Sequence, residues 1–230
     1  MHAIKVYYNY LEETKQIEKH PCPKLYLKDK IDKSIAVEKL YNTKQLEALF
    51  NHHEPKDKRL TSRNKVIISL LINQALQVSE ITNLKTDDIN LEKGEIHIEK
   101  QGKSNERTLP LKSNQILLFY NYLNDRNTLL NHNKQQTDRF IINKFGKELH
   151  PHGISKLLNE GKMESEKIHP QKIRQSVIAN LLKQNNDLRT VQVFSGHRRS
   201  TSTENYKRSE FEALQAAVNK HHPLQMKIKD

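Results

Sequence analysis

Cysteine is nearly absent from the 230 residues. Cys22 stands alone, which excludes an internal disulfide framework and any zinc or iron–sulfur site built from several thiolates. Glycine is scarce as well. The six glycines, at 94, 102, 146, 153, 161 and 196, form neither G-x-x-x-x-G-K-[ST] nor G-x-G-x-x-G, so the backbone cradles that hold nucleotide phosphates are missing and ATP-driven chemistry is not expected. No run approaches the ~18 apolar residues of a membrane span, and mean hydropathy is −0.85. The opening MHAIKVYYNYLEETK lacks the basic region, apolar core and small-residue cleavage site of a secretory signal, so a cytoplasmic location without membrane association is expected. Twelve histidines include the pairs His150/His152 and His221/His222, but there is no H-E-x-x-H and no thiolate beside them. Solvated surface histidines are the simpler reading, and no metal or other cofactor is expected.

Positive charge, by contrast, is abundant. Lysine and arginine number 39 against 27 aspartates and glutamates, a formal net charge of +12. The excess is densest in residues 161–230, which hold 13 basic and 7 acidic side chains. Such a surface suits a polyanion, although net charge also serves solubility.

Periodicity organises the chain as α+β, mainly α-helical, with one small antiparallel sheet. Ile4, Tyr7, Tyr8 and Leu11 recur at helical steps before His20-Pro21-Cys22-Pro23, and the Lys-rich stretch Leu27–Lys33 reads as a linker. One helix cannot bury its own apolar face, so residues 1–39 read as the tail of a domain plus a linker. The compact domain is expected from residue 40. A second helical region starts with Thr43 as N-cap, and Val66–Leu71 is apolar on all sides, as in a central buried helix. After a short helix at Ser79–Leu84 the period changes to two: Ile89 and Leu91, Ile96 and Ile98, then Thr108–Leu111. The second turn of this sheet, Gln101–Asn105, reads as exposed and basic. Helix resumes at Ile116–Leu123, a polar loop is expected over Asn124–Asp138, and further helices cover Ile154–Leu158, Lys172–Leu182 and Leu188–Phe194. A last amphipathic helix, with Phe211, Leu214 and Val218, ends at His221-His222-Pro223.

Five segments stand out together: Ala75-Leu76-Gln77-Val78-Ser79-Glu80, Gly102-Lys103-Ser104-Asn105-Glu106-Arg107, Pro170-Gln171-Lys172-Ile173-Arg174-Gln175-Ser176, Ser195-Gly196-His197, and Tyr206 nine positions on. In this order the set resembles the tyrosine recombinases, the phage integrase family, over about residues 40 to 222. The resemblance implies that family's catalytic-domain fold for residues 40–230, with residues 1–39 resembling the last helix of the preceding core-binding domain. Carried over residue by residue, it implies Tyr206 as nucleophile, Lys103 as the β-hairpin lysine, Arg174 as the second arginine, His197 as the residue preceding the nucleophile and Glu80 as the acid of the first box. Two positions depart: Gln77 stands where the family has its first arginine, and Gln171 where it has a histidine. Strand cleavage is therefore expected to be impaired.

The residue types fit phosphoryl transfer on their own chemistry. A phosphodiester gains negative charge in its pentacoordinate transition state, which Arg174 and His197 can offset. A tyrosine with a pKa of about 10 needs its proton accepted or its phenolate stabilised. The departing 5′ oxygen needs a proton, which a hairpin-tip lysine can supply. The exchange of one phosphoester for another requires neither ATP nor metal. The expected function is site-specific DNA recombination through a 3′-phosphotyrosyl intermediate, and the alternative is a DNA-binding protein of the same fold that no longer cuts. Duplex DNA is the expected partner. A homotetramer on DNA is implied by the resemblance, with helix 210–220 and His222-Pro223-Leu224 docking on a neighbour or folding back on their own domain. Lys100, Arg63 and His169 are the basic residues considered as substitutes for the two missing groups.

Overall fold

The computed structural model describes residues 2–21 and 35–221. Cys22, the linker Leu27–Lys33, the segment His222-Pro223-Leu224 and the side chain of Val218 lie outside the described residues. The chain divides into two compact units, Met1–Ser34 and Ile35–Asp230. In the first, helix α1 (His2–Glu13) carries Tyr8, whose ring lies 5.6 Å from that of His20.

The second unit is built around α3 (Thr61–Asn73), in which Val66, Ile67, Ile68, Leu70 and Leu71 are fully buried. A helix apolar on every side has no solvent face, so it becomes the axis of the domain. Helices α2 (Thr43–Asn51), α5 (Ser113–Asn133) and α7 (Pro170–Lys183) pack against it. The N-cap of α2 is Asn42 rather than Thr43. Asn42 accepts from the Gln45 N–H at 2.9 Å, and Gln45 accepts from the Asn42 N–H at 2.9 Å, a reciprocal capping box that needs the longer Asn42–Gln45 spacing.

Helix α4 (Val78–Asn83) leads into a three-stranded antiparallel sheet in the order β1 (Ile89–Asn90), β2 (Glu95–Ile98), β3 (Arg107–Pro110). Alternation turns Ile96 and Ile98 of β2 inward, and Arg107 and Leu109 of β3 inward beside them, with Ile98 paired to Arg107. The chain closes with α6 (Pro151–Asn159), α8 (Leu188–Ser195) and α9 (Thr201–His221).

One departure from the sequence reading has a physical cause. The expected loop Asn124–Asp138 is helical as far as Asn133. Its inward position is filled by Arg126, whose guanidinium donates to the carbonyls of Thr137 and Arg139, so an apolar count misses the stripe. The segment Phe140–Ile142 is fully buried although it is no long strand, because it is held by Phe140 N–H to Leu84 C=O and by a bridge between Ile142 and Glu148. The region expected as a docking helix over 210–220 belongs to α9, one helix that also contains Tyr206.

Candidate active site

Helix α3 ends in a turn whose last-but-one residue, Ala75, adopts φ 50, and Leu76 N–H returns to Leu70 C=O. That left-handed cap is usually given to glycine. It points the Ala75 carbonyl at Arg174, whose Nη1 donates to it. On the far side, α8 closes with Gly196 at φ 69, and His197 N–H bonds to Gln192 C=O at 3.0 Å. Glycine is required there twice over. A Cβ at 196 would stand 2.5 Å from Arg107 Nη1 and 2.7 Å from Ser104 Oγ.

Between these two caps lies a cleft of about 490 Å³. Gln77, Val78 and Ser79 from the start of α4, Pro170, Gln171, Arg174 and Gln175 from the first turns of α7, His197, and Tyr206 from α9 line it. Pro170 at the first position of α7 sets the helix entry with no N–H to satisfy. Arg174 is buried, donates also to Ser195 C=O, and has its pKa lowered by burial.

Beneath the cleft, Glu80 and Arg107 form an ion pair with side-chain exposures of 0% and 1%. Arg107 Nη1 donates to Glu80 Oε1 at 2.8 Å and Nη2 to Oε2 at 3.0 Å. Ser104 Oγ donates to Oε1 at 2.6 Å, and the Gln77 N–H to Oε2 at 2.8 Å. Burial is the largest single influence and pushes the Glu80 carboxyl up, but the Arg107 bonds and charge, with the Gln77 and Ser104 donors, outweigh it and hold the group below its ordinary value. Arg174 Nη1 is 3.8 Å from the same carboxylate, too far for a hydrogen bond.

His197 packs parallel to the Tyr206 ring with centroids 6.4 Å apart, and its Nδ1 lies 2.9 Å from Thr203 Oγ1. Burial, then the charges of Arg174 and Arg107, lower its pKa to about 4, so it is neutral at pH 7. Burial pushes the Tyr206 phenol up to about 12 against the opposing effect of Arg174. Its hydroxyl makes no hydrogen bond within the described residues.

Five of the seven expected site residues, Gln77, Gln171, Arg174, His197 and Tyr206, thus meet in one cleft, and Glu80 braces it from below. Lys103 does not line it. It sits exposed in the turn Gln101–Ser104, closed by Ser104 N–H to Gln101 C=O at 2.8 Å. That turn is not exposed throughout, because Ser104 is buried against Glu80. Tyr206 belongs to the continuous helix α9. Among the considered substitutes, Lys100 and His169 are exposed outside the cleft lining, and Arg63 is buried in α3 against Asn64 and the Ile142 carbonyl. Sequence reasoning missed Arg107. The signal was its place two residues before Leu109 on the inward face of a strand, where a charge demands a partner. Among the described residues no group of three or more His, Cys, Asp or Glu side chains could hold a metal ion, and no helix is long and apolar enough to cross a membrane.

The model of the Phage integrase family matches residues 39–213. The tyrosine recombinase XerC of Listeria welshimeri is 27% identical over 225 residues, covering 96% of this chain and 73% of that protein. XerC of Listeria innocua is 30% identical over 189 residues, with 80% and 62% covered. Among solved structures, the XerA recombinase superposes with a TM-score of 0.62 at 17% identity, over 96% of this chain and 83% of the other. The Tn1549 transposon integrase in complex with transposon right end DNA gives 0.61 at 16% identity, over 93% and 75%.

Proposed function

The chain belongs to the phage integrase family, as the match over residues 39–213 shows, and from that premise we propose that it is a site-specific recombinase of duplex DNA that works through a 3′-phosphotyrosyl intermediate on Tyr206. The observation that carries the reading is the convergence of Arg174 from α7, His197 from the bridge just after α8 and Tyr206 from α9 on one cleft. Tyr206 Oη forms the new bond to phosphorus while the bond from phosphorus to the 5′ oxygen breaks. Neutral His197 takes the phenol proton once the anionic phosphodiester lies beside it and raises its basicity, and Arg174 offsets the charge that grows on the non-bridging oxygens. Lys103, at the exposed turn, gives a proton to the departing 5′ oxygen when DNA lies across the hairpin. Attack by a second 5′ hydroxyl reverses these transfers and rejoins the strand.

Gln77 and Gln171 supply neutral donors where a cation would be stronger, roughly half the strength per bond, so cleavage by this chain is slow. Residues 1–39 are the last helix of a core-binding domain with its linker, and residues 40–230 the catalytic domain. The active species is a tetramer on DNA. Phe211 and Leu214 are 66% and 62% exposed on α9, and they provide an apolar contact to a neighbouring copy. A second reading, a DNA-binding protein that no longer cuts, is favoured by the same two glutamines, since Arg174 is then the permanent cation of the cleft lining.

The deciding experiment incubates the chain with a pool of nicked duplexes of randomised sequence and recovers DNA that stays bound after denaturation. An adduct lost on Tyr206→Phe supports recombination. Salt-sensitive binding to duplex with no adduct in the pool would establish the non-cutting reading instead.

A further inference from the structure

Arg107 makes hydrogen bonds to Glu80, Ser104, Asn105 and Phe194, and these partners sit next to groups the proposed chemistry needs. Its Nη1 and Nη2 grip both oxygens of Glu80. Nη1 also donates to Ser104 Oγ at 3.1 Å and to Asn105 C=O at 3.3 Å, and Nε donates to Phe194 C=O at 2.9 Å. Ser104 follows Lys103 directly. Phe194 lies three residues before His197, and Glu80 holds the N–H of Gln77. The turn is also fastened to the end of α8 by Asn105 N–H to Gly196 C=O at 2.9 Å, and the Cβ space at Gly196 is taken by the Arg107 guanidinium. One planar fork thus ties the hairpin turn, the α8 end and the α4 start together while being 1% exposed itself.

Resting on the recombinase reading, we propose that Arg107 is a positioning residue: it sets the place of the Lys103 turn against the Phe194–His197 segment, and through it the delivery of the proton to the leaving oxygen. Arg107 touches no substrate. Without the Arg107 fork the turn would keep only the Asn105 N–H to Gly196 C=O bond and the contacts of Ser104 with Glu80 and His197, and a lysine displaced by an ångström loses much of its value as a proton donor.

The variant of choice is Arg107→Lys, which keeps the charge opposite Glu80 but cannot reach both carboxylate oxygens, Asn105 and Phe194 together. In the DNA-free full chain, amide hydrogen exchange at Asn105 should speed up by ~10-fold or more while the amides of α3 stay as they are. Unchanged exchange at Asn105 would overturn the tether. On nicked duplex, adduct formation should fall at least ~10-fold with an ordinary 5′ oxygen, yet by no more than about 3-fold when that oxygen is replaced by sulfur, because a thiolate leaves without a proton. Lys103→Ala should show the same recovery with sulfur. Equal losses of Arg107→Lys on both substrates would make Arg107 merely structural and sink the proposal. Should Arg107→Lys not fold, the pair Glu80→Gln with Arg107→Gln removes both buried charges and is read in the same two assays. A native chain that forms no adduct fails the recombinase reading, whereas the exchange measurement still decides whether Arg107 holds the turn.

Discussion

Two tyrosines of this protein, Tyr206 and Tyr122, are raised by burial to about 12 against the opposing charge of buried arginine, Arg174 beside the first and Arg63 and Arg126 beside the second. They differ in what the hydroxyl does. Tyr122 Oη donates to Phe140 C=O at 2.9 Å and accepts from Ile142 N–H at 3.2 Å, and its ring meets Phe140 edge-on at 5.3 Å. Arg63 and Arg126 beside it donate to Asn64 and to carbonyls of Thr137, Arg139 and Ile142. They line a separate hollow of about 530 Å³, and their hydrogen bonds brace the 137–142 segment. Around Tyr206 the hydroxyl is unspent, the ring is stacked on a neutral histidine, and a fully buried carboxylate with its own arginine holds the N–H of Gln77, which lines the cleft. A raised phenol marks burial alone. What separates a candidate nucleophile from a core tyrosine is a polar atom left without a partner in a cleft shared with other polar groups.

The largest effect that tests this contrast is an exchange of roles between the two rings. Tyr206→Phe should abolish the covalent DNA adduct and leave unfolding in urea nearly unchanged. Tyr122→Phe should keep the adduct and lower stability by about 1–3 kcal/mol, because the Phe140 carbonyl and the Ile142 N–H lose their partner in the core. An adduct that survives Tyr206→Phe assigns the nucleophile elsewhere.

Next in size is the combined change Gln77→Arg and Gln171→His. One preorganised transition-state donor is typically worth about 10²–10³ in rate, so cleavage should rise by well over ~10-fold, measured as initial adduct yield on nicked duplex. Affinity for duplex should change much less, since one added cation is a small part of a polyelectrolyte interaction. A rate that does not respond would mean that the cleft is not limited by charge.

Acidification should weaken the Tyr206 side of the comparison. His197 has its pKa lowered from 6.5 to about 4 in the folded chain, so between those values the unfolded chain binds more protons and stability falls as pH falls. Glu80 is held below its ordinary value, and its contribution is lost in turn as pH drops through its folded value. Urea midpoints measured down from pH 7 should therefore decline from about 6.5 onward, and His197→Gln should flatten the part between 6.5 and 4. A midpoint that is constant over that window would contradict the burial of His197. The smallest expected effect is a control remote from both rings: Asn42→Ala should cost about 1 kcal/mol through the lost capping box, with adduct yield unchanged at saturating DNA.

Much of this architecture could be read from local pattern. The all-round apolar run Val66–Leu71 became the axial helix, and the two-residue alternation at Ile96–Ile98 and Thr108–Leu111 became β2 and β3. The helix expected over Leu188–Phe194 became α8 and closes at Gly196. These features are decided within a few residues, by side-chain period and by the backbone freedom of glycine, so the sequence by itself determined them. Other features depend on contacts between distant segments. Asn124–Asn133 is helical because Arg126 finds carbonyls on the 137–139 segment, and no count of apolar residues contains that fact. Lys103 stands outside the cleft, and Arg107 is committed to Glu80, 27 positions away. Only the tertiary structure decided these, for a physical reason: a buried charge takes its meaning from the partner that compensates it, and that partner is chosen by how the chain folds back on itself.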